Sequence, residues 1–201
     1  MKVYGHPMST CTRKVLTTLT ENNTPYELVL VDLMKGEQKQ PEHLARQPWG
    51  KVPSIDDDGF KLYESRAIIR YLNDKVGGKL VPTDLRARAL MDQWTSIEYS
   101  YFTTPTMKHV VHHMFQRPQE PASLEAATKE LEHTLPVLDA HLAKHTYFAG
   151  NDFSLADITY MPYVEYGLAT PVKDVYAKHP HFMAWWTRVS ERPSWRKVTN
   201  R

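Results

Sequence analysis

The sequence has one cysteine, Cys11, in 201 residues. A disulfide within the chain is excluded, and so is any metal site built from several thiolates. A lone thiol fits a reducing compartment, and the expected location is cytoplasmic. Long apolar runs are missing too. No stretch approaches the roughly 20 residues of a membrane span, so no membrane is expected as partner. The opening "MKVYG" enters an apparent strand with no apolar segment of the secretory type before it. Charge of one sign is equally scarce. The 25 Lys and Arg face 23 Asp and Glu, a net +2 with histidines neutral, with neither a basic run nor an acidic tail. Nucleic acid and anionic surfaces are therefore poor partners. Internal repeats and low-complexity segments are absent. What remains, 41% hydrophobic and 24% charged residues, is the composition of a globular protein long enough to bury a core without staples.

The first third alternates between two periodicities. "KVYG" (2–5) reads as a strand and residues 9–22 as a helix, with Cys11, Val15, Leu16 and Leu19 at helical spacing. "YELVLVDL" (26–33) reads as a buried strand, and "PEHLARQ" (41–47) as a short helix opened by proline. Asp58-Gly59 between two apolar runs signals a hairpin. Ser65 is placed to cap a helix whose stripe is Ile68, Ile69 and Leu72. The order β-α-β-α-β-β-α, with a parallel pair from the first βαβ unit and an antiparallel hairpin, is a thioredoxin-like layout. "VGGKLVPTD" reads as a linker, and beyond it the pattern is helical only. Pro105 is expected to kink or interrupt one long helix, and "SLAD" (154–157) has the spacing of a capping box. The expected organisation is an α/β thioredoxin-like domain over 1–76, a linker over 77–84 and an all-α helical domain over 85–201.

Several stretches invite chemistry. "GHPMSTCTRKVL" (5–16) gathers Ser9, Thr10, Cys11 and Thr12 at a strand-to-helix turn. Cys11 shares the helical face of Val15 and Leu19, which places it toward the core as a small hydrophobe. "HVVHH" puts His109, His112 and His113 on one helical face. No Asp or Glu completes an H-E-x-x-H pattern there, so surface histidines are expected and no metal site.

"KVYGHPMSTCTRKVL", "DLMKGEQKQPEHLARQPWGKVPSIDDDGFKLYESRAIIRYL", "FAGNDFSLADI" and "RPSWRKV", in this order and at these spacings, together resemble a cytosolic glutathione transferase, most closely the phi class. The resemblance covers nearly the whole chain. It implies an enzyme that conjugates the thiol of glutathione to small, largely apolar electrophiles, with a possible peroxidase side activity, acting as a homodimer. Glutathione enters as co-substrate, and no metal is implied.

Glutathione carries two carboxylates, an ammonium and a thiol on an extended backbone, and the resemblance distributes these over the chain. Ser9 matches the hydroxyl donor to the thiolate, with Thr10 as a second donor. Val52, before Pro53 and a cis bond, offers main-chain hydrogen bonds to the cysteinyl unit. Ser65 at a helix start suits the γ-glutamyl carboxylate, and Glu64 the ammonium. Arg66 either braces this corner or is a surface residue. Gln38, Lys39 and Lys51 suit the glycyl carboxylate, although both lysines also fit a solvated face. Gln38 and Lys51 depart from the His and Gln usual in the phi class. The charge at Lys51 makes binding there more salt-sensitive. Met8, Val111 and Phe115 match the electrophile site, Val111 and Phe115 being four apart on one helix and equally suited to core packing. Trp49 either plugs a partner subunit or packs locally.

A thiol of pKa about 8.5 is roughly 3% ionised at pH 7, and lowering the pKa to about 6.5 ionises roughly three quarters. That shift is worth about 2.7 kcal/mol. One hydrogen bond to the anion contributes about 1.5–3 kcal/mol and a helix N-terminus about 0.3–1, so a single hydroxyl at the helix mouth suffices. Two alternatives stand beside this reading. Cys11 could form a mixed disulfide with glutathione, as in thiol-transferring or lyase classes, or the chain could be a non-catalytic ligand-binding protein.

Overall fold

Apolar spacing in the first third builds what it signals. The computed structural model describes residues 1–201 and divides them into two compact units, residues 1–81 with 193–201, and residues 82–192. In the first unit, β1 (Lys2–Gly5), α1 (Thr10–Glu21) and β2 (Glu27–Leu30) form the βαβ element. A single 3-10 turn (Glu37–Lys39) and α2 (Pro41–Leu44) lead to the hairpin of β3 (Ser54–Asp57) and β4 (Phe60–Tyr63), and α3 (Ser65–Lys75) follows. The sheet order is β2-β1-β3-β4, with β2 parallel to β1 and the other pairs antiparallel. Val3 and Ile55 face each other across the central pair and are fully buried, as are Ile68, Ile69 and Leu72 on α3. Asp58 and Gly59 turn the hairpin with φ of 54° and 94°, the double positive φ of a type I′ turn. Asp57 at the end of β3 is ion-paired with Lys75 and accepts the Tyr71 hydroxyl at 2.5 Å, tying the sheet to α3. Those two bonds, Lys75 first, hold its carboxyl below its usual pKa.

Local boundaries differ from the sequence reading in four places. α1 starts at Thr10, with Ser9 as its cap. β2 covers only residues 27–30, and Leu30 is exposed, because the strand lies at the sheet edge with one side unpartnered. α2 is a single turn rather than seven residues. Ser65 does not cap α3. It is the first helical residue, and Glu64 holds the cap position with φ 71° and ψ 107°.

The second unit is helical. α4 (Leu85–Ile97) passes through a π-helical turn (Glu98–Thr103) into α5 (Thr104–His113). Pro105 interrupts the ladder as its missing N–H requires, and the Tyr101 carbonyl instead accepts the Thr134 hydroxyl at 3.3 Å. α6 (Pro121–Leu142) turns Ala127, Leu131, Leu135 and Leu138 inward. α7 (Leu155–Leu168), α8 (Lys173–Tyr176) and α9 (Pro180–Ser190) complete the unit. Its core is aromatic: Phe148 stacks on Tyr160 at 4.2 Å and meets Trp185 edge-on at 5.0 Å. Asp157, at the third position of α7, is fully buried and accepts from Ser154 N–H, Ser154 Oγ, Phe148 N–H and Trp185 Nε1. No helix is long and apolar enough to cross a membrane.

The last helix, α10 (Pro193–Thr199), groups with the first compact unit, whereas the sequence reading places 85–201 in one helical domain. Trp195 is fully buried there, the Arg13 guanidinium lies 6.0 Å from its ring centroid, and Ser194 hydrogen-bonds Glu21 at the end of α1.

Candidate active site

Strand register gathers the loops of the first unit. Gly5 of β1 stands opposite Leu30 of β2, Tyr4 opposite Ser54, and Ser54 opposite Tyr63. The ends of β1, β2 and β4 and the start of β3 therefore meet at one end of the sheet. Ser9, the 31–53 segment and the Glu64-Ser65 corner all leave from that end, as do the N-termini of α1 and α3.

Ser9 sits where the β1 loop becomes α1. Its N–H donates to the His6 carbonyl at 2.8 Å, its carbonyl accepts the first intrahelical bond from Arg13, and its Oγ accepts from Thr12 N–H at 3.3 Å. The hydroxyl proton is not used in that bond, so it can be donated to an anion in front of the helix. Arg13, buried one turn into α1, braces this loop from behind. Its Nε donates to the Pro7 carbonyl at 2.9 Å, and its Nη2 lies 3.5 Å from Met8 Sδ. Thr10 and Cys11 are the first two helical residues, and both are half-buried. Cys11 is thus not sealed in the core, as its spacing with Val15 and Leu19 had placed it. The first turn of α1 leaves its side chain partly open, whereas Val15 and Leu19 are fully buried.

Two helix starts face the same end of the sheet. The positive φ of Glu64 is uncommon for a residue with a side chain and is held here by the sheet on one side and α3 on the other. It brings Ser65 into the first turn of α3, where backbone N–H groups have no acceptor in the helix. Ser65 is buried and Glu64 exposed.

The third part is the 36–53 segment. The Val52–Pro53 bond is cis, as the family resemblance implies. Val52 makes no hydrogen bond within the chain, so its N–H and C=O are open to an extended ligand. Lys51 is exposed at its side chain, but its backbone is held twice. Its N–H donates to Gln47 Oε1 at 3.0 Å, and its carbonyl lies 2.7 Å from His43 Nε2. Lys39 Nζ donates to the Trp49 carbonyl at 3.3 Å, which uses one of its three donors. Gln38 Oε1 is buried without a partner. Trp49 is 68% exposed, which removes local packing as its role.

Sequence reasoning missed Arg13, His43 and Gln47, all buried and all bonded to main-chain atoms of this site. The available signal was two polar residues four apart in the short helix expected over 41–47; Arg13 lies off the Cys11-Val15-Leu19 stripe and gave none.

In the second unit Val111 is half-buried on α5. Phe115 lies beyond the end of that helix rather than on it, exposed, with its ring edge-on to Tyr166 at 6.3 Å. Of the histidines, His109 is buried, with Nε2 3.1 Å from Thr128 Oγ1, which corrects the expectation of a surface residue. Burial, with the neighbouring histidines, lowers its pKa. His112 Nδ1 accepts from Gln119 N–H, and His113 is exposed.

Residues 1–74 match the family described as glutathione S-transferase, N-terminal domain, and residues 102–193 the corresponding C-terminal domain. Glutathione S-transferase F9 of Arabidopsis thaliana is 36% identical over 98% of this chain and 95% of its own length. Among solved structures, glutathione transferase F7 from Populus trichocarpa superposes with a TM-score of 0.93 at 36% identity, covering 99% of this chain and 97% of that one. Glutathione S-transferase I from Mais, in complex with an atrazine glutathione conjugate, superposes with a TM-score of 0.91 at 32% identity, over 99% and 96%.

Proposed function

The chain belongs to the glutathione S-transferase family, and from that premise we propose that it joins the thiol of glutathione to small, largely apolar electrophiles with Ser9 holding the sulfur as a thiolate. The observation that carries the reading is the position of Ser9, capping α1 at the sheet end where Val52 is open and α3 begins. Glutathione lies extended past Val52, and its cysteinyl unit pairs with the Val52 main chain. Its γ-glutamyl carboxylate meets the Ser65 hydroxyl and the first N–H groups of α3, and Glu64 balances the ammonium. Lys39, Lys51 and the Gln38 amide take the glycyl carboxylate. The thiol proton leaves to water, and the Ser9 hydroxyl and the α1 N-terminus stabilise the anion. With an aryl halide, a carbon–sulfur bond forms, the carbon–halogen bond breaks and halide departs. Thr10 adds a second donor. Met8, in the loop before α1, contacts the electrophile.

The test is Ser9→Ala with chlorodinitrobenzene. Losing one hydrogen bond to the anion, about 1.5–3 kcal/mol, should cut turnover at pH 7 by roughly 10- to 100-fold. The pH–rate profile should shift toward the free thiol value of about 8.5, while glutathione affinity stays within a few-fold. Full activity of the variant at pH 7 sinks the assignment.

A second reading is favoured by the half-buried position of Cys11 in the first turn of α1, two residues from Ser9. Cys11 would attack oxidised glutathione, form a mixed disulfide and release one glutathione thiolate. Mass spectrometry after exposure to oxidised glutathione, with activity assayed in Cys11→Ser, decides between the two. Turnover across a panel of electrophiles and peroxides separates either enzyme from a ligand carrier. The reading also includes a cytoplasmic homodimer in which exposed Trp49 inserts into the partner subunit.

A further inference from the structure

We propose that His43 and Gln47 are positioning residues for glutathione, acting through the backbone of Lys51. The inference rests on the reading of Val52 as the main-chain station of the cysteinyl unit.

Lys51 is gripped at both of its peptide groups. Gln47 Oε1 takes its N–H at 3.0 Å, and His43 Nε2 stands 2.7 Å from its carbonyl. A carbonyl has no proton to give, so Nε2 is the donor. The other ring nitrogen, Nδ1, is buried and unpartnered. Both side chains are almost wholly buried, at 3% and 1% exposure, so neither bond is exchanged with water. They stand four residues apart, and the chain between them keeps a helical course, with the Gln47 N–H bonded to the His43 carbonyl at 2.9 Å. α2 and the turn that continues it thus present a donor and an acceptor to one residue.

The consequence falls on Val52. The Lys51 carbonyl and the Val52 N–H belong to one planar trans peptide, in which they point in opposite directions. Turning the carbonyl toward His43 therefore turns the Val52 N–H away from α2. That N–H is one of the two main-chain groups open to the ligand. Gln47 fixes the preceding peptide plane, and Gly50 N–H on Gln47 O at 3.0 Å closes the intervening turn. The Lys51 side chain takes no part in this geometry.

Glutathione binding by the full-length protein, measured by calorimetry and paired with kinetics at saturating glutathione, tests the idea. His43→Phe and Gln47→Leu should each raise the Kd for glutathione about tenfold, about 1.4 kcal/mol, with kcat within twofold of the parent. His43→Gln keeps a donor and Gln47→Glu an acceptor, and each should recover most of the loss. Because the grip is on the backbone, His43→Phe should cost the same factor in a Lys51→Ala background. Unchanged affinity in both His43→Phe and Gln47→Leu overturns the proposal. So does a fall in kcat as large as the fall in affinity, or a penalty that vanishes when Lys51 is alanine. If His43→Phe does not fold, Gln47→Leu and the conservative pair decide by the same criteria. Failure of the parent protein to bind glutathione overturns the site reading itself, whereas normal binding by parent and variants removes only the clamp.

Discussion

A methyl group added at Gly50 would come within 2.8 Å of Lys39 Cδ and Nζ and 2.9 Å of the Gln38 carbonyl, and the residue has a φ of 59°. The lysine tip can move, but the carbonyl cannot without shifting the segment that carries Gln38 and Lys39. Gly50→Ala should therefore cost about 1 kcal/mol in stability from the left-handed backbone alone, read by urea unfolding. It should also raise the KM for glutathione more than it lowers kcat. At this scale the sequence was informative wherever chemistry is written in adjacent residues. Ser9 at a strand-to-helix turn, Val52 before Pro53, and Glu64 beside Ser65 are each readable as short patterns. Arg13, His43 and Gln47 were not. Their partners are main-chain atoms four to eight residues away, and a carbonyl looks the same beneath every side chain.

At the start of α7 a single carboxylate holds four donors from three residues. Asp157→Ala would leave the Phe148 N–H, the Trp185 indole and both Ser154 groups buried without acceptors. An unsatisfied buried donor costs about 1–3 kcal/mol, so the variant should lose at least about 3 kcal/mol, measured by chemical denaturation. The pH dependence has a definite sign. Burial is the largest influence on Asp157 and raises its pKa, against the opposing hydrogen bonds from Phe148, Trp185 and Ser154. The folded state then binds this proton more tightly than the unfolded one. The contribution of Asp157 is fully present below the unfolded pKa and declines as pH rises toward the folded one. Removing the carboxyl should flatten that decline. Elements of this kind were legible because their signals are local: "SLAD" for the cap, Asp58-Gly59 for the hairpin, and the Ala127-to-Leu138 stripe for α6. The exposed edge of β2 and the positive φ of Glu64 were not. Edge position depends on which strands pair across the chain, and the Glu64 backbone follows from the geometry of its neighbours rather than from its own side chain.

On the scale of the whole molecule, the order of domains was readable from the switch between periodicities, but the course of the last residues was not. "RPSWRKV" has helical character like the stretch before it, and nothing in its spacing says that Trp195 is buried in the first unit with Arg13 over its ring. Trp195→Ala should destabilise that unit by about 3–5 kcal/mol. Because α1 carries Ser9, the loss should appear as weaker glutathione binding as temperature rises, in a thermal titration of the variant against the parent.

That arrangement also bears on how the protein comes into being. During synthesis a chain emerges from its N-terminal end, and domains ordinarily fold in that order. Here residues 1–81 emerge early, but the tryptophan that belongs with them emerges after the whole of the other unit. The helical unit, residues 82–192, is complete before its predecessor in the chain. The first unit can therefore complete its packing against α1 only after the whole helical unit has been synthesised.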